Sequence, residues 1–273
     1  VGVLLAVFLA SLDQTIIATA LPAIAAEFRD AEHLSWVMSG YLLTATAATP
    51  IYGKLGDLYG RRILLTIAIT VFAAASVLSA LAGSLVELIG SRALQGLGAG
   101  GLITLAQATI GEVVPPRERG KYQAYFAIVF ATSSVGGPVV GGLFVDFLSW
   151  RWIFWMNLPL GLAALGLCHY ALRHLRVEKR KVKIDYAGAL LMVGGVGALM
   201  VVLVSGGNTL AWTSPLLIAL AGGGVALLLL LAVCEQRAPD PILPPQLFAN
   251  PVFRAASIII FFSVMAMMGS IAF

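Results

Sequence analysis

The chain has 273 residues, 60% of them hydrophobic and only 11% charged, with a formal net charge of +4. Soluble globular domains carry about 25% charged residues, so the composition excludes an ordinary soluble domain. The charges fall in short blocks between apolar stretches of roughly 20 residues, the length of helix that crosses a bilayer core, so the chain reads as a polytopic membrane protein.

Nine apolar spans follow in chain order, roughly 1–26, 34–53, 62–83, 86–110, 121–145, 152–172, 186–206, 214–234 and 251–273. In lipid the backbone polar groups must be satisfied within the segment, so each span is read as a helix. Barrel strands would be about half as long and would alternate in polarity. Alternate loops differ in charge. One set holds Lys54, Arg61 and Arg62, then Arg117, Arg119 and Lys121, then six basic residues between Arg173 and Lys183; the other holds only Arg29 and Arg151. The positive-inside rule puts the first set, and with it the N-terminus, in the cytoplasm. The expected location is a cell membrane, the inner membrane of a bacterium. The loop at 235–250 is close to neutral and adds nothing to this assignment. The positive charge thus reflects topology, and no nucleic-acid partner is expected.

The first span contains "LDQTIIATALP", residues 12–22, with the acid Asp13 near mid-span. Intramembrane acids are functional by default, though a carboxylate that merely holds one helix to another has the same appearance. "GKLGDLYGRR", residues 53–62, follows the second span. Gly53 and Gly56 permit close helix approach, Gly60 lies just before the two arginines, and Asp57, Arg61 and Arg62 are placed to form a charge cluster between spans two and three. A plain turn with topology charges is the other reading.

The fourth span contains "SRALQGLGAGG", residues 91–101. Arg92 and Gln95 lie inside an apolar segment, and Arg92, Gly96, Gly100 and Thr104 share a helix face that admits a close neighbour. An arginine there faces a partner or a wet cavity, or snorkels to the interface. The fifth span contains "SSVGGPVVGG", residues 133–142, with one small-residue stripe at Ser133, Gly137 and Gly141 and another at Ser134, Pro138 and Gly142. Pro138 favours a kink; a generic packing face is the alternative for both stripes. "WRWIFWMNLP", residues 150–159, puts Trp150, Trp152 and Trp155 where interfacial aromatics sit.

In order and spacing, these five stretches resemble the major facilitator superfamily, specifically its drug:proton antiporters with 14 spans. "GKLGDLYGRR" looks like the family's loop between spans two and three, "SRALQGLGAGG" its span-four motif, "GGPVVGG" the antiporter motif with Gly137, Pro138, Gly141 and Gly142, and "LDQTIIATALP" the span-one motif of the 14-span branch. The resemblance implies an all-α membrane protein of major facilitator fold. Residues 1–172 would be an N-terminal six-helix domain of two inverted three-helix repeats, 173–185 a cytoplasmic basic linker, 186–234 two additional helices, 235–250 a second linker and 251–273 the first helix of a second domain lying beyond this chain and required for function. "GKLGD" and "GGLFVD" carry a trace of the inversion: each sets Gly four residues before Asp (Gly53 to Asp57, Gly142 to Asp146), with Arg61 and Arg151 after.

Function is implied in the same way: proton-coupled efflux of amphipathic or cationic compounds by alternating access, with substrate, protons and the bilayer as partners and no cofactor. Asp13 would face a water-filled central cavity and exchange a proton there, with Arg92 and Gln95 beside it, while Gly53, Asp57, Gly60, Arg61 and Arg62 gate the cytoplasmic side. A proton-coupled uptake symporter and a non-transporting sensor or scaffold are the alternatives. An enzyme is not expected. His33, His169 and His174 are scattered, one in an outer loop and two flanking the inner end of span six, Cys168 and Cys234 make neither a disulfide framework nor a metal site, and no GxxxxGK loop is present.

Overall fold

A computed structural model describes residues 2–30, 32–171, 185–207, 209–236, 241 and 245–272. Most of the predicted basic linker at 173–185, with His174, and part of that at 235–250 lie outside the described residues. The elements are α1 (Gly2–Phe28), α2 (Ser35–Tyr59), α3 (Arg61–Leu81), α4 (Leu85–Val113), α5 (Arg119–Phe147), α6 (Trp152–Trp155), α7 (Asn157–Ala171), α8 (Tyr186–Ser205), α9 (Pro215–Glu235), α10 (Pro245–Ala249) and α11 (Pro251–Ala272). Each predicted span contains a helix. Among the described residues, six stretches are long and apolar enough to cross a membrane: α1, α3, α5, α6 with α7, α8 and α9. The more polar α2 and α4 have 25 and 29 residues, enough at about 1.5 Å per residue for a core of about 30 Å.

Local chemistry sets the boundaries. Gly60 alone separates α2 from α3, at φ 91° and ψ 134°, a conformation closed to side chains with a Cβ. Ser84 caps α4 by accepting from Glu87 N–H, and the Glu87 carboxylate accepts from Gly83 N–H. The predicted sixth span is interrupted at Met156. Pro159 has no N–H to offer the Trp155 carbonyl, so the helical ladder is broken there. Pro138, by contrast, sits inside an unbroken α5.

The packing follows an inverted repeat. α1 packs on α5 and α7 as α4 packs on α2 and α3, so the first helix of each repeat is held by the second helix of the other. Small residues make this possible where lipid supplies no hydrophobic drive between helices. A Cβ at Gly96 would overlap Thr44 and the Tyr41 carbonyl of α2, and one at Gly100 would overlap the Ala45 carbonyl. On the other pair, a Cβ at Gly137 or Gly141 would overlap Thr15 or Thr19 of α1. Among the described residues three core clusters fill the bundle, one around Leu65, Ile69, Phe72, Leu102 and Leu105, a second around Ile16, Ile17, Leu88, Ile153 and Phe154, and a third around Val7, Ala106, Ile110 and Phe126. α8 and α9 form a hairpin against which α2 rests. α11 is exposed along nearly all of its described length.

A buried charge cluster and two ion-paired ends

Asp13 lies midway along α1 and faces inward. It is entirely enclosed, with Arg92 and Gln95 of α4 and Asn157 of α7 around it. Arg92 Nη1 donates to Asp13 Oδ2 at 2.5 Å. Asp13 Oδ1 accepts from Gln95 Nε2 at 2.9 Å and from Asn157 Nδ2 at 2.7 Å. Arg92 also donates to Gln95 Oε1 at 2.9 Å, and its guanidinium carbon lies 4.2 Å from the Tyr41 ring centroid. Asn157 donates onward to Ser76 Oγ at 3.0 Å, and Ser76 Oγ donates to the Phe154 carbonyl at 2.9 Å. A buried charge pair persists only when its remaining donors and acceptors are satisfied, and this network meets that condition.

This arrangement corrects one expectation. Asp13 does not open onto water in this conformation, because α7 and α4 close over it; it is paired directly with Arg92 inside the bundle. The sequence reading brought Asp13, Arg92 and Gln95 forward and missed Asn157, Ser76 and Tyr41. Asn157 carried a readable sign, a lone amide in the apolar run "WIFWMNLPLGLAALG".

The "GKLGDLYGRR" loop closes one end of the bundle. Arg61 pairs with Asp57 at 3.1 Å and with Glu112, near the C-terminus of α4, at 3.1 Å, and it donates to the Ala108 carbonyl. Gly56 lets Leu105 approach, and Gly53 faces Thr104. Arg62 departs from the expected cluster: it lies on the far side of α3, with Nη2 3.1 and 3.2 Å from the ring nitrogens of His169 on α7.

At the opposite end, Arg151 Nη1 donates to both Glu27 oxygens at 2.8 and 3.0 Å, and Nη2 donates to the Ala82 carbonyl at 3.0 Å. Trp150 Nε1 donates to Glu27 at 2.6 Å. Trp150 is therefore a core residue, packed edge-on to Phe28 and Phe154, and not an interfacial anchor; Trp152 is the exposed one. Arg151 reaches Glu27 of α1, whereas its expected counterpart of Asp57 was Asp146. The inversion is nonetheless evident: Arg61 binds the last turn of α4, and Arg151 binds the last turn of α1. In the adjoining loop, backbone and ring N–H groups of His33 hold the Asp30 carboxyl below its ordinary range.

In α5 the two stripes separate. Ser133, Gly137 and Gly141 are buried on α1, with Ser133 Oγ 2.9 Å from Ser11 Oγ and the Ser133 carbonyl accepting from Thr15 at 2.8 Å. Ser134 and Pro138 are exposed, and a Cβ at Gly142 would meet nothing within 4 Å.

A family model described as Major Facilitator Superfamily matches residues 3–273. An uncharacterized MFS-type transporter of Mycobacterium tuberculosis (strain ATCC 25618 / H37Rv), Rv1877, is 40% identical over 267 residues, covering 98% of this chain and 39% of that protein. The multidrug transporter protein MdtP of Bacillus subtilis (strain 168) is 37% identical over 272 residues, covering 100% of this chain and 50% of that protein. The chain thus spans half or less of the length of these relatives. Among solved structures, the human organic anion transporter MFSD10 (TETRAN) matches with a TM-score of 0.60 at 17% identity, over 80% of this chain and 57% of that one. The xylose transporter XylE from E. coli matches with a TM-score of 0.52 at 19% identity, over 85% of this chain and 67% of that one. At such identities these two likenesses concern the fold, and they agree with the helix packing. From the family match over nearly all of its length, the chain belongs to the major facilitator superfamily, a family of membrane transporters rather than enzymes.

Proposed function

We propose that this chain is the N-terminal part of a proton-coupled exporter of amphipathic or cationic compounds. In this reading, residues 1–172 form one six-helix domain, 186–234 two additional helices and 251–273 the start of the second domain, with the N-terminus in the cytoplasm of a bacterial inner membrane. The observation that carries the proposal is the Asp13–Arg92 pair, enclosed at the middle of the bundle with Gln95 and Asn157. The name of the Bacillus subtilis relative, a multidrug transporter, supports the substrate class, and that of a Dothistroma septosporum relative, an efflux pump 38% identical over 268 residues, supports the direction.

The geometry suggests how a proton acts. Asp13 ties α1 to α4, the first helices of the two repeats, and to α7. A proton on Asp13 removes the charge that Arg92 pairs with and converts an acceptor into a donor. The tie weakens, α1 is free to shift against α4, and the domain favours a different opening. Substrate need not touch Asp13. It would compete with the proton by favouring the arrangement in which the pair is closed. Asp57, Arg61 and Glu112 are joined in the same conformation as the closed pair, so in this reading they hold the basic end of the bundle shut while Asp13 is unprotonated.

The test is proton release on substrate binding and transport by full-length protein in vesicles with an imposed pH gradient. The wild type should release protons on binding an amphipathic cation and carry it in the efflux direction. Asp13→Asn with Arg92→Gln, which removes both buried charges, should bind without proton release and fail to respond to the gradient. Gradient-driven efflux by that variant would overturn the assignment of Asp13; uptake-direction movement by the wild type would overturn export.

A further inference from the structure

At the basic end of the bundle, a groove of about 490 Å³ runs between α3 and α7, lined by Thr66, Leu165, Gly166, His169 and Tyr170. We propose that it holds an anionic phospholipid, with the phosphate on the guanidinium edge of Arg62 that His169 does not cover and one acyl chain laid along the groove.

Three observations support this occupant. First, the groove opens onto an apolar belt. Ile63 and Ile67 of α3 and Leu162 and Leu167 of α7 are all exposed beside it, as side chains that meet hydrocarbon would be. Second, its mouth carries the cationic guanidinium of Arg62. Arg62 Nη2 lies nearly equidistant from the two His169 ring nitrogens and so aligns with neither lone pair. The remaining guanidinium donors have the planar geometry that phosphate oxygens match. Third, the floor is open. Among the described residues nothing comes within 4 Å of where a Cβ would stand on Gly166, so no described helix is admitted there. That separates it from Gly96, Gly100, Gly137 and Gly141, each of which is pressed against another helix.

A lipid seated here would contact the first turn of α3, the element that also carries Arg61. The site therefore lies one residue from the Asp57–Arg61–Glu112 cluster but about 100° away around the helix.

The experiment is native mass spectrometry of full-length protein extracted from nanodiscs of equal phosphatidylglycerol and phosphatidylethanolamine. The wild type should retain phosphatidylglycerol in preference. Arg62→Gln should lower that retention about fivefold, the loss expected for one basic group near a membrane surface. Gly166→Phe fills the groove without touching the charges and should lower retention of the lipid while the protein remains folded by circular dichroism. Soluble glycerol 3-phosphate at the same concentration should not displace the lipid, because the acyl chain supplies part of the binding. Equal retention of the two lipids by wild type, undiminished retention in Gly166→Phe, or displacement by glycerol 3-phosphate would each overturn the proposal.

Discussion

The Asp13–Arg92 pair and the ion pairs at the two ends of the bundle use the same chemistry in opposite surroundings. Asp13 and Arg92 are 0% and 1% exposed. Arg61 and its partners Asp57 and Glu112 are 20%, 62% and 49% exposed, and Arg151 and Glu27 are 31% and 42% exposed. In the first case neither charge has water to fall back on. In the others water can replace the lost partner. The same bond is therefore a structural necessity in one place and an adjustable contact in the others, which suits the ends of the bundle to opening and closing.

The sharpest way to break this comparison is to remove one buried charge. Asp13→Asn leaves Arg92 buried without a counter-ion, and arginine cannot shed its proton. It should cost about 3–5 kcal/mol, read as a fall in the thermal midpoint of the purified protein. Arg92→Ala should cost less than Asp13→Asn, since Asp13 can neutralise itself by taking a proton. Arg92→Lys keeps the charge but loses the planar donors over Tyr41, so it should recover stability only in part. Equal midpoints for all three variants would show that the enclosure is not maintained in the membrane.

A second contrast is in packing. Gly141→Leu places a side chain where a Cβ would already overlap Thr19 and lie 2.8 Å from the Ile16 side chain, and should cost at least about 1–3 kcal/mol. Gly142→Leu, the next residue of the same motif, meets nothing and should leave folded yield unchanged. If both variants fold equally well, α5 does not lie on α1 as described.

The ends should respond more weakly in stability. Asp57→Asn should change the midpoint by no more than about 1 kcal/mol, yet lower transport while substrate binding survives. Wild-type transport would remove Asp57 from the gating reading. Glu27→Gln should have the smallest effect, about 0–1 kcal/mol and diminishing as salt is raised, because Trp150 retains an acceptor in the amide. A large loss there would mean that the Arg151 contact is screened from solvent far more than its exposure implies.

Much of this architecture was legible without coordinates. The helix positions follow from hydropathy, since a segment in lipid has no other way to satisfy its backbone. Asp13, Arg92 and Gln95 announced themselves as polar groups in apolar spans, and the Gly96–Gly100 and Gly137–Gly141 stripes as close-packing faces. The partners were less visible. Asn157 is 144 residues from Asp13, and no local period links them. Nothing in the local sequence singles out Glu112 and Glu27, because only the inverted packing of α1 and α4 brings their last turns under Arg61 and Arg151. Arg62 was grouped with Arg61, although adjacent residues on a helix point about 100° apart.

What the sequence determined by itself was the inventory: which segments must be helices, which side chains cannot be left alone in hydrocarbon, and where small residues allow two backbones to meet. Those are properties of one residue or one turn against a uniform solvent. The tertiary structure decided the pairings: that Asp13 closes on Arg92 and Asn157 instead of facing water, that Trp150 turns into the core, and that Arg62 leaves the loop cluster for His169. Each depends on the direction in which a side chain leaves its helix and on which helix stands opposite, and both are settled only when the two repeats pack against one another.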